Sequence, residues 1–126
     1  MSKTGQSGFT LLEVLVALVV LSVGLLGMAA LTVGIIDGNL YSKNVTTATV
    51  IAEARLEDIR RAGYVAATPG TVGPDSVSMG GASFARLTSI TDNTPLVGNR
   101  TVAVTVSWGG GTHSVTLNTI LARNVM

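Results

Sequence analysis

The chain has no cysteine in 126 residues, three prolines and one histidine; charged residues make up 12% against 47% hydrophobic. Each scarcity excludes something. Without cysteine there is no disulfide, no thiolate metal site and no cysteine nucleophile. Any folded part must hold by packing and hydrogen bonds. The one histidine, His113, leaves no pair for a zinc site, and beside a run of glycines it reads as a solvent-exposed loop residue. Asp75 and Asp92 read as isolated loop acids, and Asp92-Asn93 lacks the ligand series of a calcium loop. No nucleophile stands at a recognisable spacing from a base. Gly109-Gly110-Gly111 has neither the lysine nor the following helix of a phosphate-binding loop. The chain therefore reads as not an enzyme, with no cofactor and no small-molecule substrate. Formal net charge is +1, which gives no support for nucleic-acid binding; Arg86, Arg100 and Arg123 are scattered in sequence, and folding could still gather them.

The missing charge is concentrated in one place. Val14 to Ile36 carries none. As a helix these ~23 residues extend about 35 Å, enough for a hydrocarbon core of ~30 Å. Lys3 lies ahead of the run and Asp37 is the first charge beyond it. The positive-inside rule then puts the N-terminus in the cytoplasm and the rest outside. Ser22, Gly24, Gly27, Thr32 and Gly34 interrupt the run. Small residues let membrane helices approach closely, and each glycine weakens the helix by roughly 1 kcal/mol in water. Gly24 and Gly27 are either a built-in weak point or ordinary membrane-helix glycines.

Ahead of the run stands Gly8-Phe9-Thr10-Leu11-Leu12-Glu13. A secretory signal has an apolar region of ~7–15 residues with the cut after it. Here the candidate cut, Gly8/Phe9, comes first, so the apolar run would stay on the protein. A plain anchor has no use for Glu13 at its mouth. This pattern resembles the N-terminus of type IV prepilins and of the pseudopilins of type II secretion. The resemblance implies that residues 1–8 are a leader, cut after Gly8 by prepilin peptidase, with Phe9 then N-methylated. It implies that Glu13, the fifth mature residue, acts in subunit assembly. Cleavage would remove Lys3 and leave seven basic against seven acidic side chains. The implied partners are other major and minor pilins, an inner-membrane assembly platform and the lipid bilayer. The implied place is the bacterial inner membrane with a periplasmic C-terminal domain, then the pilus. Gly8 to Leu18, the Val104 to Trp108 strand and its Val115-Thr116-Leu117 partner resemble the PilV type, the type IV pilus modification protein. Minor pseudopilins of the GspI type begin almost identically. A membrane-anchored binding module, an adhesin or DNA-uptake subunit, is the third reading. Two departures stand out: no proline near Ala30 and no disulfide. Glu13 also has a plainer reading, because Thr10 and Glu13 have capping-box spacing. Cleavage at Gly8 would start the helix near Phe9 and weaken that reading.

Residues 39–126, about 90, suffice for one domain with a modest core. Ile36-Asp37-Gly38-Asn39 is turn-like and would end or bend a helix. Beyond it, Leu40, Val45, Ala48, Ala52, Leu56, Ile59 and Ala62 lay an apolar stripe along a helix. Glu53, Arg55, Glu57, Asp58, Arg60 and Arg61 form a solvated face or an inter-subunit salt-bridge surface. The pattern predicts one helix from Phe9 to about Ala62, capped by Gly63. Prolines and glycines between Tyr64 and Ala82 predict a loop. Strands are expected at Phe84–Thr91, Thr101–Trp108 and Ser114–Leu121. The expected fold is α+β: a long N-terminal helix, transmembrane over 9–38, packed on a small antiparallel sheet of three or four strands. Val102, Val104, Val106 and Trp108 should face the helix, with Trp108 a core anchor.

Overall fold

The computed structural model describes Gly5 and residues 8–123. Lys3 and the rest of the expected leader lie outside the described residues. The elements are α1 (Leu11–Ala66), β1 (Gly70–Met79), β2 (Ala82–Asp92), β3 (Asn99–Trp108) and β4 (His113–Ala122). The chain divides into two compact units, Met1–Asn39 and Leu40–Met126.

In the first unit α1 presents its apolar side chains outward on all sides: Leu18 is 58% exposed, Val23 66% and Leu26 72%. Its few polar groups are satisfied within the helix. Ser22 Oγ donates to the Leu18 carbonyl at 2.7 Å and Thr32 Oγ1 to that of Met28 at 2.9 Å. With every backbone group paired and no charge in the run, this stretch is long and apolar enough to cross a membrane. Helical backbone continues through Ile36–Asn39, so the turn-like cluster does not end the helix. Without proline, Gly38 only weakens a helix.

In the second unit the rest of α1 lies on a four-stranded antiparallel meander, in the order β1-β2-β3-β4. Sheet register explains the core. Thr88 pairs with Val104 and Val104 with Leu117, putting all three on one face. Val102, Val104 and Val106 are fully buried on that face, and Trp108 is 7% exposed. They meet Ala48, Ile51, Ala52, Leu56 and Ile59 of α1, where small Ala48 and Ala52 allow close approach. Phe84 packs edge-on to Trp108 with ring centroids 6.1 Å apart. Trp108 is the anchor its strand pattern suggested. The helical stripe needs adjustment: Ile51 is buried, whereas Leu40 and Ala62 are exposed.

Other expectations are corrected. The segment expected as a loop contains β1, paired with β2 from Gly70 to Met79. Its register shifts between Val72 and Asp75, so Gly73-Pro74 forms a bulge on an edge strand. There the missing proline N–H costs no ladder bond. A side chain at Gly73 would come within 2.6 Å of the Arg86 carbonyl oxygen, so only glycine fits. Gly80-Gly81 (φ +62° and +81°) closes the β1–β2 hairpin. Gly63 breaks α1 (φ 82°, ψ 175°) where a cap was expected, and a short helical stretch follows to Ala66. The charged face is not wholly solvated. Arg55 and Arg60 donate to the buried hydroxyls of Thr88 and Thr119 at 3.5 and 2.7 Å, supplying partners those hydroxyls need.

Asp75 and Asp92 are not isolated. Register places Asp75 opposite Arg86 and Asp92 opposite Arg100, and both pairs form ion pairs. Arg100 also donates to the carbonyls of Tyr64 and Ala67, the latter at 2.9 Å, and stacks on the Tyr64 ring at 4.1 Å. It ties the end of α1 to the sheet.

Candidate functional site

The first residues of the apolar helix show how local sequence sets up a site. Gly8, Phe9 and Thr10 are non-helical and exposed, Phe9 at 85%. The helix begins at Leu11, not at Phe9 as the sequence suggested. The cause is Thr10. Its Oγ1 accepts the Glu13 N–H at 3.2 Å, and its carbonyl accepts the Val14 N–H at 3.2 Å. Thr10 is therefore the N-cap and Glu13 the third helical residue. These bonds involve no residue before Thr10, so removal of residues 1–8 would leave them possible. The cap uses the Glu13 backbone. Among the described residues, the Glu13 carboxylate is in none of the ion pairs, which are Glu57–Arg61, Asp75–Arg86 and Asp92–Arg100. A carboxylate in the first turn gains ~0.3–1 kcal/mol from the helix dipole.

Phe9, Glu13, Val14, Ala17, Leu18 and Leu21 line a shallow, almost wholly apolar concavity. Spacings of three and four put Glu13, Ala17 and Leu21 on one helix face. The result is a carboxylate at the head of an apolar groove, next to an exposed Gly8–Phe9 bond. Chemically it offers an exposed peptide bond and, among the described residues, a carboxylate outside the ion pairs.

The remaining candidates lie elsewhere, in the globular unit. His113 is exposed and packs against Tyr41 and Trp108, with centroids 5.2 and 5.6 Å apart. Among the described residues no cluster of three or more His, Asp or Glu side chains is placed to hold a metal. Arg60, Tyr64, Asp92, Arg100 and Arg123 line an open cleft, but Asp92, Tyr64 and Arg100 are committed to one another there. Sequence reading missed this cluster. Its available signal was an acid and an arginine flanking the Asn93-to-Gly98 turn.

Residues 3–29 match the family described as "Prokaryotic N-terminal methylation motif". The match spans Gly8, Phe9 and Glu13 and ends inside the apolar run. No curated protein and no solved structure matches the chain. The motif is that of type IV pilin-like subunits of pili and pseudopili, which prepilin peptidase processes and which assemble with other pilins in a membrane machinery. An apolar helix and the motif together are consistent with membrane anchoring.

Proposed function

We propose that, with this pilin-like N-terminus, the chain is a minor pilin: a structural subunit, not an enzyme, that joins or primes a type IV pilus after losing residues 1–8. One observation carries the reading. The methylation motif falls on an exposed Gly8–Phe9 bond, outside the helix and directly ahead of a charge-free apolar stretch with Glu13 in its first turn. Gly8 gives the peptidase an extended, unhindered backbone. The cut leaves a positively charged, N-methylated amine on Phe9. The N-terminus stays cytoplasmic and the domain periplasmic, following Lys3 and Asp37.

Glu13 then works between subunits. Packed among neighbouring apolar helices, an unpaired carboxylate is costly. The Phe9 amine of an adjacent subunit is a counter-ion that exists only after cleavage. Pairing it with Glu13 sets the axial register and confines assembly to processed chains. The pilus is preferred to a secretion pseudopilus on the likeness of Gly8–Leu18 and of the Val104–Trp108 strand to the PilV type.

The test is Glu13→Ala beside Thr10→Ala. Glu13→Ala should leave insertion, processing and the globular fold intact, yet reduce the subunit in sheared fibres on immunoblots. Thr10→Ala removes only the cap, worth ~0.5–2 kcal/mol, and should still incorporate. Normal incorporation of the glutamate variant would defeat the assembly role and leave Glu13 as a helix-start residue.

A further inference from the structure

The sheet of the globular unit carries its charges on the side opposite to the usual one. A half-exposed antiparallel sheet ordinarily turns apolar side chains to the core and polar or charged ones to water. Here Asp75, Arg86, Asp92 and Arg100 are the only Asp, Glu, Lys or Arg side chains in the four strands. Register puts all of them on the helix side. Arg86 is opposite buried Val106, Asp75 is opposite Arg86, and Asp92–Arg100 continues the same alternation. The outward face has no charged side chain at all. It is built from Ser, Thr and Ala with Leu87, Asn99, Asn118 and Ile120, the last 54% exposed. Its hydroxyls partly satisfy one another: Thr105 and Thr116 share a hydrogen bond of 2.9 Å, and Ser107 donates to the Ala85 carbonyl at 3.5 Å. The other hydroxyls of the face, and Asn118, would need partners or bridging water across a covering surface. By contrast, Glu53, Glu57, Asp58 and Arg61 leave the exposed side of α1 well charged.

We infer that this outward sheet face is an interface, and that its occupant is the same face of a second copy of this chain. Three observations favour a copy over a foreign partner. An uncharged face packs against itself without like-charge repulsion. It also offers no charge by which a charged partner would be selected. Its area suits a dimer: four strands ~4.8 Å apart and ~33 Å long present about 600 Å². Two such faces bury about 1,200 Å², at the lower end for a stable interface. Finally, sheets packed face to face, ~10 Å apart, accept a two-fold axis lying in the plane between them.

The cysteine-free sequence makes the test clean. Single variants Leu87→Cys, Ala103→Cys and Thr116→Cys scan the face, and Arg61→Cys on the charged helix face is the control. Each full-length protein is oxidised with copper–phenanthroline in membranes. Sheet-face cysteines should give a disulfide-linked homodimer, strongest nearest the two-fold, and Arg61→Cys should give far less. Ala103→Arg, added to the better-linking of Leu87→Cys and Thr116→Cys, should abolish the dimer while the circular dichroism melt stays that of the parent. If Ala103→Arg disturbs the melt, Thr105→Lys replaces it. Equal linking from helix and sheet positions, or none from the sheet, would overturn the inference. The N-terminal residue of each sample is read separately. A cut but unlinked chain sinks the interface alone, and a linked but uncut chain sinks the processing reading alone.

Discussion

Valine serves two solvents in this molecule. Val23 in the first unit is 66% exposed, whereas Val104 in the second is fully buried. Both sit in regular, fully hydrogen-bonded elements, so the difference lies in the partner. The globular unit supplies its own apolar partner, the Ala48–Ile59 face of α1. Among the described residues the N-terminal unit supplies none, and its apolar side chains stay exposed. One unit buries its valines by itself; the other does not.

That contrast can be broken by putting the same charge into both. Val104→Asp forfeits ~1.5–3 kcal/mol of burial and leaves a carboxylate without partner in the core. It should abolish the cooperative thermal melt of the globular unit. Val23→Asp should leave that melt unchanged and instead lower membrane insertion, by about 2.5–3.5 kcal/mol at a helix centre. Thr105→Asp, one residue from Val104 but on the outward face, should shift the melt far less than Val104→Asp. Circular dichroism melts and membrane fractionation read all three. Equal damage from Val104→Asp and Thr105→Asp would mean that the two sheet faces are not distinct.

Acid should sharpen the contrast further, with a smaller effect. The Arg86 guanidinium bonded to Asp75 holds its carboxyl below the ordinary 3.8, and Arg100 does the same for Asp92, in each case against a weaker opposing push from desolvation. A carboxylate with a lowered folded pKa stabilises fully above its unfolded value and loses that stabilisation as pH falls through the folded one. Melts should therefore be level in this respect from pH 7 to about 5 and drop below about pH 4. Asp75→Asn with Asp92→Asn should flatten the acid limb relative to the parent. An unchanged acid limb would show that the two pairs do not couple to folding.

Legibility in sequence followed periodicity. The β3 face and its hairpin partner were legible because Val102, Val104, Val106 and Trp108 alternate without interruption. The apolar N-terminal helix was legible because the run from Val14 to Ile36 is helix-length and free of charge. β1 was hidden because Gly73-Pro74 breaks the alternation at the bulge, although Ser76-Val77-Ser78-Met79 followed by Gly80-Gly81 is a hairpin signal. Asp75 and Asp92 looked isolated because their partners stand 11 and 8 residues away and only sheet register brings them opposite. Ile51 was passed over although it stands three residues beyond Ala48, a helical spacing. At the N-terminus the methylation motif over Gly8, Phe9 and Glu13 was legible, but the start of the helix was misplaced by two residues. Thr10 capping decides that start, and a side-chain hydrogen bond has no periodic signature.

The most direct test of the anchored-subunit account is the intact mass of the protein purified from membranes of a host with active prepilin peptidase, beside Gly8→Trp. The expected result is a parent chain beginning at methylated Phe9 and a variant that stays full length in the inner membrane. A parent chain still beginning at Met1, or one cut after the apolar run, would contradict the account.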